Sequence, residues 1–247
     1  MLDAFKKLIS RPPPGPEWRE VSEWAKRNKL AFKRESEGTG FALVGGMESK
    51  PWRLEWGPPQ RNYIEGNELR LRMELGLSPN LQMLLISQPL LETLERQTFE
   101  RFTESTQTVI DSNTPEEMRW LAMFSKVPYK ASKEVRMRFA LVGNVSAEAE
   151  SWVEGALAHQ MEEAAAGFLK GEPPFVLMLL RGRAYLRMQM PEPDVAHIGQ
   201  SIGVFETAVL QALRVAGLGA EKGSDWSSTG STAWQTQLGL EDDPKRR

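Results

Sequence analysis

The stretch Glu68-Leu-Arg-Leu-Arg-Met-Glu-Leu75 alternates apolar and charged residues from end to end. Because successive side chains on a β-strand point to opposite faces, this alternation predicts a strand with one buried face and one charged face. The same alternation recurs in Val135-Arg-Met-Arg-Phe-Ala-Leu141 and in Arg183-Ala-Tyr-Leu-Arg-Met-Gln-Met190. We therefore predict that these three strands share one sheet, with their apolar residues directed inward and their arginines on the other side.

Other segments of the chain fit the same architecture. Strand-like segments occupy residues 30–36, 40–46, 50–57 and 174–190, and helical patterns occupy residues 17–29, 90–105 and 146–167. The nearly continuous apolar run Leu81–Ser87 is typical of a central strand that is covered on both sides. We predict an α+β fold with a mainly antiparallel sheet of about seven or eight strands and helices packed on one face, either as one unit or as two similar halves.

Short local motifs predict where several helices begin and end. Thr114, Pro115 and Glu117 form a capping-box pattern that opens a helix running to about residue 124. Asp194 opens the last helix, which is apolar on several sides, and Gly217 stands where a glycine commonly ends a helix.

The pattern of composition divides the chain into four parts. Residues 1–16 hold a short amphipathic helix and the proline-rich spacer Arg11–Pro16, which neither helix nor sheet accommodates. Residues 17–126 and 127–217 form two α+β halves that meet in a connection at residues 127–132. Residues 218–247 are rich in Ser, Thr and Gly without periodicity, which predicts a disordered tail. Its Trp226 and Trp234 form either a docking motif or a segment that folds back onto the domain.

The bulk composition excludes several classes of protein. The chain has 247 residues, a net charge of -2 and no cysteine. The near-neutral charge gives the whole molecule no attraction to nucleic acid or anionic membranes, and the lack of cysteine excludes disulfides and thiolate nucleophiles. No apolar run reaches the length of a membrane span and the N-terminus lacks a signal-peptide core, so we expect a cytoplasmic location. Residues 2–10 dock on the domain itself or, as the alternative, contact a membrane surface.

One motif suggests a serine hydrolase. Gly199-Gln-Ser-Ile-Gly203 matches the nucleophile elbow of that class, but the elbow needs a strand before its serine. Ser201 instead falls inside the helical pattern that begins at Asp194, and no histidine follows it in the chain. We interpret Gly199 and Gly203 as small residues that let another element approach closely, with a hydrolase as the alternative.

A second motif suggests a metal site. His159, Glu162 and Glu163 face one side of a predicted helix and could hold a divalent cation. Because the pattern supplies no fourth ligand, we interpret these residues as ordinary helix surface and predict no metal. The adjacent Glu116 and Glu117 receive the same interpretation. No cofactor is predicted, since the sequence has neither a phosphate loop nor a dinucleotide-binding pattern.

The arginines of the alternating strands form the main candidate binding surface. Arginine binds carboxylates and phosphates through paired hydrogen bonds, so this surface suits an acidic peptide or an anion. The alternative is a solvated face on which cross-strand pairs with Glu55, Glu68 and Glu74 contribute only weakly to stability. RNA is less favoured, because Tyr185 alone supplies a stacking aromatic ring. The predicted binding residues are Arg70, Arg72, Arg136, Arg138, Arg183, Tyr185, Arg187, Trp226 and Trp234.

The sequence has few candidate catalytic residues and two candidate contact surfaces. These features favour a non-enzymatic binding or adaptor protein with an acidic or protein partner. The order of its elements resembles that of small bacterial adaptor and secretion-chaperone folds, a likeness that assigns no residue a role. Two alternatives stay open. One is a hydrolase or metal-dependent enzyme around His159 or Ser201, and the other is an RNA- or nucleotide-binding module.

Overall fold

The computed structural model describes residues 18–35, 40–104 and 116–221, which form nine strands and seven helices. The strands are β1 (Ala31–Arg34), β2 (Phe41–Met47), β3 (Lys50–Gly57), β4 (Glu68–Glu74), β5 (Met83–Ser87), β6 (Lys126–Val127), β7 (Phe139–Gly143), β8 (Phe175–Leu180) and β9 (Arg183–Gln189). The helices are α1 (Arg19–Arg27), α2 (Gln88–Glu104), α3 (Glu116–Met123), α4 (Lys133–Arg138), α5 (Ser146–Val153), α6 (Ala156–Ala166) and α7 (Val195–Glu221). The predictions for residues 1–16, for Thr114 and Pro115, and for Trp226 and Trp234 lie outside the described residues.

All nine strands belong to one sheet in the order β1-β2-β3-β4-β9-β8-β5-β7-β6. Every neighbouring pair is antiparallel. The predicted α+β fold with a mainly antiparallel sheet is confirmed, with nine strands instead of seven or eight. Strands from the two predicted halves alternate in this sheet, since β4 pairs with β9 and β5 lies between β8 and β7. The division of the chain into domains stays a prediction.

The main core lies between one face of the sheet and the helices α1, α5, α6 and α7. The alternation of β4 places Leu69, Leu71 and Met73 in this core, as predicted. The buried helix α7 closes it, and the Trp152 indole of α5 donates a hydrogen bond to the Ala208 carbonyl of α7 at 2.9 Å. Burial of apolar side chains on both partners is the dominant stabilising contribution to such packing.

Helices α2 and α3 cover part of the opposite face. Leu84 and Ile86 of β5 pack there against Leu91 and Leu94 of α2 and against Trp120 of α3. The apolar run of β5 is therefore covered on both sides, as predicted for that strand. Most helices lie on one face as expected, and these two cover the β5 part of the second face.

The predicted strand from Val135 to Leu141 is wrong in its first half. Residues 133–138 form the helix α4, and the strand β7 begins only at Phe139. The Ser132 hydroxyl accepts a hydrogen bond from the Val135 amide and so caps this helix. Val135 is buried, but Met137 is 66% exposed, so the period-two burial pattern fails here. Arg136 and Arg138 consequently lie on a helix and not on the sheet.

The boundaries of the last helix are partly as predicted. The Asp194 carboxylate accepts a hydrogen bond from the His197 amide at 2.8 Å and caps the start of α7. Gly217 does not end the helix, which continues to Glu221. A helix-ending glycine normally has a positive φ, and Gly217 is not among the described glycines with that conformation. Across residues 18–35, 40–104 and 116–221, no helix combines the length and apolar character needed to cross a membrane.

Candidate binding surface

The polar side chains of β3, β4 and β9 lie together on one surface. We call this set the polar face. Strand register places Arg53 opposite Arg72 and Arg72 opposite Tyr185, while Arg70 lies opposite Arg187. Five of the predicted binding residues are thereby neighbours. The polar face comprises Arg53, Glu55, Glu68, Arg70, Arg72, Glu74, Arg183, Tyr185 and Arg187.

One end of the polar face is closed by its own ion pairs. Glu68 is fully buried, although the sequence predicted a charged surface position. Its carboxylate accepts hydrogen bonds from the Gln60 amide at 2.6 Å, from Arg187 Nη1 at 2.6 Å and from Arg70 Nη1 at 3.3 Å. The loop after β3 covers this cluster, because Arg70 also donates to the Pro58 carbonyl at 2.9 Å. These guanidinium groups already have counter-ions and are unavailable to a ligand without breaking the fold.

Glu55 extends the closed end toward Arg53. Arg53 Nε lies 2.5 Å from Glu55 Oε1, and Arg70 Nη2 lies 3.4 Å from Glu55 Oε2. Burial raises the pKa of Glu55, but the hydrogen bond from Arg53 and the charges of Arg53, Arg70 and Arg72 outweigh burial and leave the pKa below its ordinary value. Glu55 is therefore held as a carboxylate that neutralises the arginines beside it.

A second buried cluster joins α3 to the loop before β4. Glu117 is fully buried, where the sequence predicted a surface carboxylate. It accepts hydrogen bonds from the Tyr63 hydroxyl at 3.0 Å and from Arg61 Nε at 3.3 Å. Burial first, and the Glu117 charge second, raise the pKa of Tyr63 well above its usual value. No local pattern links Glu117 to partners that precede it by more than fifty residues.

The other end of the polar face is open. It forms a concavity of about 480 Å³, lined by Val44, Pro51, Trp52, Arg53, Arg72, Met73, Glu74, Arg183 and Tyr185. We call it the open concavity. Arg53 is engaged by Glu55, and Arg183 is engaged by Glu74. Arg72 is exposed and, within the described part of the chain, has no ion pair or side-chain hydrogen bond. Because Arg53 and Arg183 each have a carboxylate partner, the excess of positive charge in the open concavity comes from Arg72.

Two of the predicted binding residues lie elsewhere. Arg136 is exposed on α4, away from the polar face. Arg138 donates to the carbonyls of Leu169 at 3.0 Å and Lys170 at 2.6 Å, and also to the Ala165 carbonyl. These acceptors belong to the end of α6 and the turn that follows. Backbone carbonyls at a helix C-terminus have no intrahelical donor and favour a cation. The predicted placement of both arginines on the sheet is wrong because residues 133–138 are helical.

The candidate catalytic residues are not assembled into a site. Ser201 is fully buried inside α7 and donates its hydroxyl to the His197 carbonyl at 2.8 Å. A Cβ on Gly199 would lie 3.4 Å from the Trp24 ring and one on Gly203 would lie 3.8 Å from Gln160 Oε1, both ordinary contact distances, so no close approach requires a glycine at either position. His159 Nε2 lies 3.5 Å from Glu163, and both side chains are mostly exposed. Over residues 18–35, 40–104 and 116–221, no three His, Asp or Glu side chains converge as metal ligands.

Comparison with known proteins adds a distant structural likeness. No protein-family model matches the sequence, and no curated protein matches it. The crystal structure of the mycobacterial trehalose monomycolate transport factor A, TtfA, superposes with a TM-score of 0.45 at 10% sequence identity, covering 80% of this chain and 94% of that one. A likeness of this size assigns neither function nor residues to the present chain.

Proposed function

We propose that this protein is a non-enzymatic binding or adaptor protein whose open concavity engages an acidic surface of a protein partner. The proposal depends on one observation: Arg72 is exposed and forms no ion pair within the described residues. An exposed guanidinium that forms no ion pair within the described residues can accept a carboxylate without the loss of an internal ion pair. The closed end of the same face lacks this property, since each of its guanidinium groups already contacts Glu55 or Glu68.

The neighbours of Arg72 support the same conclusion. Arg53 and Arg183 flank it, and their guanidinium groups, although paired with Glu55 and Glu74, add hydrogen-bond donors beside Arg72. Tyr185 and Val44 add apolar area beside the charges, as is usual at protein interfaces where aromatic residues and arginine are enriched. Ser201 is buried and His159 lies on an open helix surface, so neither supports a catalytic reaction in the same way.

Affinity purification with an Arg72→Gln variant tests the proposal. The variant should recover at least about fivefold less of the partner than the unaltered chain, and recovery by the unaltered chain should fall as salt is added. Arg136→Gln is the matched control, because it removes the same exposed charge far from the polar face. Equal recovery by both variants at unchanged melting temperature would refute the role of Arg72.

The tail residues Trp226 and Trp234 form a second proposed contact with the partner. Large aromatic side chains are frequent anchors in protein interfaces. Deletion of residues 222–247 should weaken capture of the same partner, while the helix α7 retains its full length. If capture is unchanged, the tail has no part in the interaction and the open concavity acts alone.

A further inference from the structure

We propose that the open concavity recognises an extended acidic segment whose carboxylates stand on alternate residues, one at Arg72 and the next at Arg183. This inference rests on the proposed function and specifies its ligand. In the unbound protein, Glu74 pairs with Arg183 and so occupies the position proposed for the second carboxylate of the ligand. The ligand is thus a peptide segment of a protein partner with the pattern acidic-x-acidic.

The spacing of the two arginines carries the argument. Arg72 lies opposite Tyr185, and Arg183 precedes Tyr185 by two residues on β9, so Arg72 and Arg183 are diagonal neighbours on the same face. Diagonal neighbours on adjacent strands are about 7 to 8 Å apart. Alternate residues of an extended peptide are about 6.6 Å apart and point to one side. Two carboxylates at such positions therefore reach both guanidinium groups together.

The exposure of Glu74 supports the proposal that it takes the place of a ligand carboxylate in the unbound protein. Its side chain is 70% exposed and that of Arg183 is 50% exposed, so their ion pair lies in water and is weak. A ligand carboxylate can replace Glu74 without uncovering any buried group. Arg53 remains occupied by Glu55 at 2.5 Å, which leaves Arg72 and Arg183 as the two guanidinium groups that a ligand meets first.

Two peptides of equal composition test the spacing. In acetyl-Ser-Glu-Ala-Glu-Ser-amide both carboxylates face the protein when the chain is extended, whereas in acetyl-Ser-Ala-Glu-Glu-Ser-amide only one can. With fluorescent labels and anisotropy at low ionic strength, we expect the alternating peptide to bind about fivefold more tightly than its isomer. Arg72→Gln and Arg183→Gln should each abolish that preference.

Glu74→Gln provides a test with the opposite sign. Removing the internal carboxylate should increase affinity for the alternating peptide by about twofold to fivefold. Glu162→Gln removes an exposed carboxylate from α6 and should leave the affinity unchanged. An equal gain in both variants would show a general charge effect and would overturn the assignment of Glu74.

The remaining outcomes separate this inference from the proposed function. If the two isomers bind equally or not at all, while Arg72→Gln still loses the protein partner, the spacing is refuted and the proposed function stands. If neither peptide binding nor partner capture responds to Arg72→Gln, both are refuted. If the alternating peptide binds only after deletion of residues 222–247, the tail that carries Glu241-Asp-Asp243 competes for the open concavity, and the assignment of a partner segment as its occupant is overturned.

Discussion

At the scale of single residues, Glu68 and Glu74 show how surroundings determine the role of a side chain. Both belong to the same face of β4, six residues apart. Glu68 is fully buried beneath the loop after β3 and contacts two arginines, whereas Glu74 is 70% exposed and contacts one. Alternation in the sequence predicted the face of both residues correctly. Alternation could not predict the burial of Glu68, because the loop that covers this side chain belongs to another part of the sequence.

Replacement of these two carboxylates should have very different effects on stability. Glu68→Gln leaves the largely buried Arg187 without its carboxylate partner and Arg70 with Glu55 alone, so we expect a loss of about 3 to 5 kcal/mol in the free energy of unfolding. Glu74→Gln breaks an exposed pair and should cost less than about 1 kcal/mol. Urea denaturation of both variants measures the difference, and similar losses would contradict the burial assigned to Glu68.

At the scale of elements, the segment from Ser132 to Leu141 shows a competition between two local signals. The alternation from Val135 to Leu141 indicates a strand, but seven residues are too few to distinguish the two periods securely. Ser132 followed by Glu134 is also a helix start, with a cap and an acidic first turn. The helix prevails over residues 133–138, and Arg138 then reaches the orphan carbonyls after α6.

Replacement of each of the two arginines of α4 should therefore change the free energy of unfolding by a different amount. Arg138 has a side chain that is only 12% exposed and donates charged hydrogen bonds to backbone carbonyls. Arg138→Gln should reduce the free energy of unfolding by about 2 to 3 kcal/mol. The control Arg136→Gln alters an exposed position and should stay within about 0.5 kcal/mol of the unaltered protein. A denaturation midpoint that moves equally in both variants would argue against the Arg138 contacts.

At the scale of the whole molecule, the sheet depends on pairings between distant parts of the chain. β4 pairs with β9, with Leu71 opposite Leu186. β5 is bordered on both sides by strands of the second half, with Leu85 opposite Leu141 on one side and Leu177 on the other. A fragment that ends before residue 127 retains neither neighbour of β5 and loses β9, one of the two neighbours of β4.

We predict that residues 1–126 and residues 127–247 do not fold separately. Each fragment would leave apolar strand edges and core side chains exposed. The apolar burial that remains within one fragment cannot offset the conformational entropy lost on folding. Circular dichroism during heating should show no cooperative transition for either fragment, and mixing the two should restore one. A cooperative transition of the first fragment alone would instead support two independent halves.

The sequence by itself determined the α+β class, the strands β2 to β5 and β9, the burial faces of β3, β4 and β9, and the cap of α7 at Asp194. These features depend on residues that are neighbours along the chain, where side-chain alternation and hydrogen bonds to nearby amides act directly. Only the tertiary structure decided that Glu68 and Glu117 are buried, that Arg138 closes α6, and that Arg72 forms no ion pair among the described residues. Those outcomes depend on which distant segments pack against a side chain, because burial and charge compensation are properties of the assembled fold.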